Sequence, residues 1–180
     1  MKNVYIALLR GINVGGKNKI KMEELRNVFE SLGLQKVKTY IQSGNVLFES
    51  YENESSLCQL LESEIAAAFG FSVSVMLRTS EEMVQIINGC PYRPDELQEG
   101  ESIHVSFLSK VPSKEAADKV LAYNNDAEAC QIKGREVYLF FRKSIRDSKL
   151  ANQLHKLDVP STLRNWNTAS KLAGMANVIQ

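Results

Sequence analysis

The chain predicts an α+β fold built from two ferredoxin-like (β-α-β-β-α-β) subdomains, with antiparallel sheets, helices packed on one face of each, and a C-terminal helical tail. Two observations carry this. Strand-like apolar runs at 3–9, 36–42, 45–50 and 71–77 alternate with helical periodicity at 22–32 and 53–69 in the order β-α-β-β-α-β. A second succession of strand, helix, hairpin and helix follows between 103 and 156, so the architecture reads as duplicated. The predicted subdomains are 1–78 and 79–180, the second ending in an Arg-Asn-Trp-Asn loop and a helix.

Residues 3–9 are apolar at both alternating sets of positions, as in an interior strand. Met22, Leu25, Val28, Phe29 and Leu32 then recur at helical spacing, and Gly33 stands where a C-terminal glycine stops a helix. The strands 36–42 and 45–50 flank Ser43-Gly44, a hairpin turn. Ser55 or Ser56 is the expected cap of the helix that runs to Phe69, Gly70 ends it, and Phe71–Leu77 follows as a strand.

Thr79-Ser80-Glu81-Glu82 opens a short helix, and the polar stretch 91–101 marks the boundary zone. Ser113 caps a helix to Ala122, a hairpin turns at Lys133-Gly134, and a helix is expected at about 147–156. Beyond Pro160, residues 161–170 read as a polar binding loop, with a last helix from Ala169 to Ile179 capped by Thr168.

Composition sets the outer limits. The 180 residues are 44% hydrophobic and 24% charged, which places the chain among ordinary globular proteins. No apolar run reaches the roughly 18 residues of a membrane span and no signal-peptide core follows Met1, so a cytoplasmic location is expected. Cys58, Cys90 and Cys130 are widely spaced, with His104 and His155 the only histidines, so no metal set is expected and no cofactor follows. Cys90, at a helix end, is the one thiol with a case for chemistry.

Charge is uneven along the chain. Residues 1–48 carry eight Lys/Arg against three acids, 49–101 carry eleven acids against two Arg, and 102–180 carry twelve Lys/Arg against seven acids. Basic ends suit an anionic partner, although interspersed charge on solvated helices gives similar sums.

The chemistry-bearing stretch follows the first strand. Gly11, Gly15 and Gly16 alternate with Asn13, Lys17 and Asn18 in a cationic loop that leads into a helix, an arrangement that holds anions through backbone N–H groups and the helix dipole. Gly11 to Lys17 matches G-x-x-x-x-G-K, but Asn18 replaces the Ser or Thr that reaches Mg²⁺ in a P-loop, and a β-α-β-β order is not that fold. In the split βαβ topology the end of the first strand at Arg10 lies beside the start of the third at Asn45, so the Gly-rich loop and Gln42-Ser43-Gly44-Asn45 share one edge.

Residues 9–26 (LRGINVGGKNKIKMEELR), 39–48 (TYIQSGNVLF) and 163–172 (LRNWNTASKL) together resemble the DUF1697 family, a bacterial group of unknown function. The resemblance implies paired ferredoxin-like subdomains and supplies no reaction or cofactor. It also implies one site formed by Arg10, Gly11, Asn13, Gly15, Gly16, Gln42, Ser43, Gly44 and Asn45 with Arg164, Asn165, Trp166, Asn167 and Thr168.

The expected ligand is small and anionic or phosphorylated, a nucleotide being one example. Arg10, Lys17 and Arg164 supply charge, Gly15 and Gly16 backbone donors, Asn13, Asn45, Asn165 and Asn167 directional hydrogen bonds, and Trp166 a stacking face. Two alternatives stand beside it. One is a nucleic-acid-binding module using Arg10, Lys17, Lys19, Lys21 and Arg164. The other is a purely structural role, in which the motifs close turns and dock the tail. Oligomeric state and enzymatic activity do not follow from the sequence.

Overall fold

The computed structural model describes residues 1–179. The chain folds as two compact units, Met1–Gln85 joined by the segment from Ser170 onward, and Ile86–Ala169. Each contains a four-stranded antiparallel sheet.

In the first unit β1 (Asn3–Leu9) leads through the Gly-rich loop to α1 (Met22–Ser31), followed by β2 (Gln35–Tyr40), β3 (Asn45–Ser50), α2 (Glu54–Phe69) and β4 (Val75–Thr79), with strand order β2-β3-β1-β4. The α+β duplication and the split βαβ order are as the sequence predicts. β1 is buried from Val4 to Leu9 because it is a central strand. Its Tyr5, Ala7 and Leu9 pack with Val46, Phe48 and Leu77 against Leu25 and Phe29 of α1 and Leu57, Leu61 and Ile65 of α2. Apolar positions at helical spacing thus meet apolar positions at strand spacing in one core.

Three expectations in this unit are corrected. The cap of α2 is Asn53, whose Oδ1 accepts from the Ser56 amide at 2.9 Å, and Ser55 and Ser56 lie inside the first turn. β2 ends at Tyr40 rather than residue 42, because Ile41 has φ 48° and leaves the extended region. β4 begins at Val75, not Phe71. Its partner β1 runs out at the Leu9–Val75 pair, and past it the Arg10 amide reaches back to the Ser74 carbonyl at 3.0 Å.

β2 also carries a bulge between Gln35 and Lys38, with Lys36 at φ 51°. Its ammonium reaches a Glu49 carboxylate oxygen at 3.0 Å and the Ile179 carbonyl at 3.2 Å. Lys2 pairs with the other oxygen of the same carboxylate.

The second unit repeats the plan with β5 (Ser102–Leu108), α4 (Lys114–Leu121), β6 (Glu128–Lys133), β7 (Glu136–Phe141) and β8 (Ser161–Asn165), ordered β6-β7-β5-β8. The unit boundaries fall within α3 (Ser80–Asn88) and α6 (Trp166–Ile179). Ser113 caps α4 as expected.

Two corrections concern its later part. The helix expected at 147–156 is broken into a 3₁₀ turn at Ile145–Asp147, a single α turn α5 (Lys149–Asn152) and another 3₁₀ turn at Leu154–Leu157. The break has a tertiary cause beside a cap: Ser148 caps α5, and the buried Glu128 carboxylate accepts from both the Ser148 hydroxyl and the Leu150 amide. Residues 161–165 are not a loop but β8, paired with β5 from Leu108–Ser161 to His104–Asn165. α6 accordingly starts at Trp166, and its cap is Asn165, whose Oδ1 accepts from the Thr168 amide at 2.8 Å, so Thr168 lies within the first turn.

The repeat extends to register. Ile6 of β1 is opposite Leu47 and Arg78, and Val105 of β5 is opposite Tyr138 and Arg164. Leu77-Arg78-Thr79 and Leu163-Arg164-Asn165 therefore match. Each ends its strand with a buried arginine and a helix cap, since Thr79 Oγ1 accepts from the Glu82 amide while Glu82 accepts from the Thr79 amide in a capping box.

The equivalence gives paired expectations. Thr79→Ala and Asn165→Ala each lower the unfolding free energy by about 1 kcal/mol in urea denaturation. A second test is acid titration: hydrogen bonding to Lys2, then to Lys36, holds the Glu49 carboxyl below its ordinary value. The stabilisation this gives is present above the unfolded carboxyl's pKa and is lost as pH falls through the lowered folded value. Glu49→Gln should flatten that acid limb.

Candidate functional site

The end of β1 enters a loop whose shape is fixed by one side chain. Asn13, at φ 56°, accepts the Ile20 amide on Oδ1 at 2.9 Å. It donates from Nδ2 to the Ile20 carbonyl at 3.0 Å and to the Gln42 carbonyl at 2.8 Å. Its backbone amide donates to Asn18 at 3.1 Å. The loop is thus closed on itself and tied to the β2–β3 turn. Inside it, Val14 to Lys17 form a tight turn with the Lys17 amide on the Val14 carbonyl at 3.1 Å. Gly15 and Gly16 supply its two positive φ values, 58° and 73°. This separate turn, and the four residues between Lys17 and α1, distinguish the loop from a P-loop, in which the lysine opens the helix directly.

The neighbouring turn is equally constrained. The Gly44 carbonyl accepts from the Leu9 amide at 2.9 Å, and Gly44 has φ 90°. A Cβ there would stand 2.6 Å from Ile12 Cδ1, and Ile12 is fully buried, so the two loops meet at a point only glycine fits. Asn45, also fully buried, donates to the Tyr40 carbonyl and to Ser43 Oγ, both at 2.9 Å. Asn18 donates to the Gly11 carbonyl at 3.3 Å.

The first-unit members of the sequence-predicted set therefore come together and divide into two groups. Asn13, Gly15, Gly16, Ser43, Gly44 and Asn45 shape the loops, whereas the side chains of Arg10, Lys17 and Gln42 are exposed. Beside them lies a groove of about 770 Å³ whose lining includes Asn13, Gly16, Lys19, Lys21, Met22 and Gln42. α1 opens on this groove with no side-chain cap at Lys21, and Glu23 and Glu24 of its first turn also line it. The groove thus carries both signs of charge, with cations on the loop and carboxylates on the helix. The sequence of α1 contains those two acids, but only the fold shows that they share one groove with the loop's lysines.

A family model described as "Protein of unknown function (DUF1697)" matches residues 1–138. The chain belongs to the DUF1697 family. It is also similar to a solved structure described as that of conserved bacterial protein SP0830 from Streptococcus pneumoniae, at 30% identity, with 98% of this chain and 99% of that one covered and a TM-score of 0.75. No curated protein matches. The family match holds the Gly-rich loop and the β2–β3 turn and stops before the Arg-Asn-Trp-Asn stretch, which the structural match spans.

In the second unit Arg164 is buried, donating to Thr162 Oγ1 at 2.7 Å and the Leu163 carbonyl at 2.9 Å. Burial pushes its guanidinium down to about 10, so it stays charged at neutral pH. Asn165 is committed to capping α6, Trp166 is half-buried at the helix start and Asn167 is exposed.

The remaining candidates offer little chemistry. His104 lies edge-on to Phe141 with ring centroids 5.5 Å apart, and burial lowers its pKa, favouring the neutral ring. Burial also pushes the Cys90 thiol up, away from the thiolate. Among the described residues no group of three or more His, Cys, Asp and Glu is placed to hold a metal, and no helix is long and apolar enough to cross a membrane. Tyr5 and Phe48, the aromatics of the central strands, stack on each other at 5.7 Å inside the core and present no face to a base.

Asn13→Ala removes three hydrogen bonds at the joint and should cost about 1–3 kcal/mol. Gln42→Ala, which spares the backbone carbonyl that Asn13 uses, should change stability by less than about 0.5 kcal/mol in the same denaturation experiment.

Proposed function

We propose that this DUF1697 protein binds a small anionic or phosphorylated ligand at the groove between the Gly-rich loop and α1. The observation that carries the reading is the loop from Arg10 to Lys21, which holds Arg10, Lys17, Lys19 and Lys21 exposed, contains no carboxylate, and is braced by Asn13. Cations on a braced backbone lose less freedom when they meet an anion. The uncapped start of α1 adds a partial positive end, while Glu23 and Glu24 oppose it. In this reading the anion sits toward the loop, with the asparagines and glycines shaping the site rather than touching the ligand.

The test is calorimetric titration with inorganic triphosphate. Lys19→Ala with Lys21→Ala should weaken binding about fivefold, and Glu23→Gln with Glu24→Gln should tighten it about two- to fivefold. No heat with any anion would remove the reading. Tight oligonucleotide binding that falls steeply and linearly in log–log form with salt would instead favour a nucleic-acid partner. Trp166, the only tryptophan, reports on the stretch that the sequence adds to this site. Unchanged fluorescence at an occupancy measured by calorimetry would set Arg164, Asn165, Trp166 and Asn167 aside as ligand contacts.

A further inference from the structure

We infer that the first unit holds a second site, at the end of its sheet away from the Gly-rich loop, and that it takes a small organic ammonium ion with a compact apolar body. The site shares no lining residue with the anion groove and stands independently of that reading.

β1 and β3 run antiparallel, with Leu8 opposite Asn45 at the loop end and Asn3 opposite Ser50 at the other. At that other end a cavity of about 330 Å³ opens between the α1–β2 connection and the start of α2. Its apolar lining is Leu32, Leu34, Leu57 and Leu60. Leu57 belongs to the core, Leu32 and Leu34 pack against it, and Leu60 is 38% exposed, so the apolar surface runs from the core out to solvent. Small-ligand sites combine such walls with a few placed polar groups.

The charged lining is unbalanced, with Glu49 and Glu52 against Lys2. Glu49 is only 6% exposed, a burial that carboxylates reach when they are paired. Lys36 meets one of its oxygens and Lys2 the other, and Lys36 is not part of the cavity lining among the described residues. Hydrogen bonding to Lys2, then to Lys36, holds the Glu49 carboxyl below its ordinary value, so the negative charge is present at neutral pH. The Lys2 ammonium also stands 6.0 Å from the centroid of the exposed Tyr51 ring, where a ring face attracts a cation. A carboxylate and an aromatic face above a leucine floor are the parts of an amine site, and here a side chain of the protein itself fills the cation's place. Lys2 precedes β1 and its side chain is one-third exposed. A flexible, strongly hydrated lysine so placed can exchange the carboxylate for water when a ligand ammonium arrives.

The helix ends point the same way on balance. α1 finishes at this cavity with no basic residue in its last turn, so no side chain offsets its partial negative end. The first turn of α2 opposes it, but the Ser56 amide there is already taken by Asn53. An anionic ligand would meet two carboxylates for one lysine.

The experiment is calorimetric titration of the full chain with phenethylamine, 2-phenylethanol and 3-phenylpropionate, which share an apolar body and differ in charge. Phenethylammonium should bind about tenfold more tightly than the alcohol, and the propionate more weakly than either. Lys2→Ala leaves Glu49 paired with Lys36 and removes the internal competitor. It should tighten the amine about three- to tenfold and leave the alcohol unchanged. Glu49→Gln should bring the amine down to the affinity of the alcohol, whereas Leu60→Ser should weaken both by about threefold. A lysine that serves only to neutralise Glu49 would give no gain in amine affinity on its removal. That result would overturn the inference, as would preference for the propionate, equal binding of all three compounds, or binding of none.

Discussion

The Asn13 side chain meets three backbone groups on two separate loops, and the geometry of the candidate site follows from that arrangement. Its oxygen and nitrogen bracket Ile20 like a short piece of sheet, while the second N–H reaches the turn carbonyl of Gln42. Only a carboxamide of this length does both: a carboxylate has no donor, and serine has neither the reach nor the second proton. Asparagine also accepts the φ of 56° required there. With the two loops held in register, Ile12 is buried against Gly44, and the lysines are presented from a backbone that has little left to order.

The fold was legible where hydrophobic period decided it. β1, α1, the β2–β3 hairpin, α4 and the β6–β7 hairpin fall where alternation, helical spacing and turn residues place them. The two largest failures share a cause, which is that tertiary partners outweighed local pattern. β8 was hidden because its buried positions are Thr162 and Arg164, which look like solvent-facing residues in a sequence. Alignment of Leu77-Arg78-Thr79 with Leu163-Arg164-Asn165 was the available signal, since the same strand end and the same cap recur. The helix at 147–156 broke because Glu128, distant in sequence, captured its start.

At the candidate site, the topology made the meeting of two loops legible, but not the division of labour within them. Asparagines and glycines in a basic loop look like ligand contacts, and here their side chains and positive φ values go into closing turns. The side chains left facing solvent include the cations, Asn18, Gln42 and two aliphatics, Val14 and Ile41. A left-handed isoleucine cannot be anticipated from sequence, because propensity argues against it, and it becomes visible only as a violation.

That division has an energetic logic. A loop that used Asn13 on a ligand would leave the Ile20 and Gln42 backbone groups to find other partners whenever the ligand was bound, and the partly buried Ile20 groups would lose most by it. Closing those groups internally lets the loop keep one shape with or without a ligand, so the ordering cost is met in folding instead of in binding. The charges can then act from fixed positions. Because Lys19 and Lys21 share the groove lining with Glu23 and Glu24, attraction to an anion in the proposed reading would be local rather than general, which suits a ligand whose charge is confined to one end better than an extended polyanion.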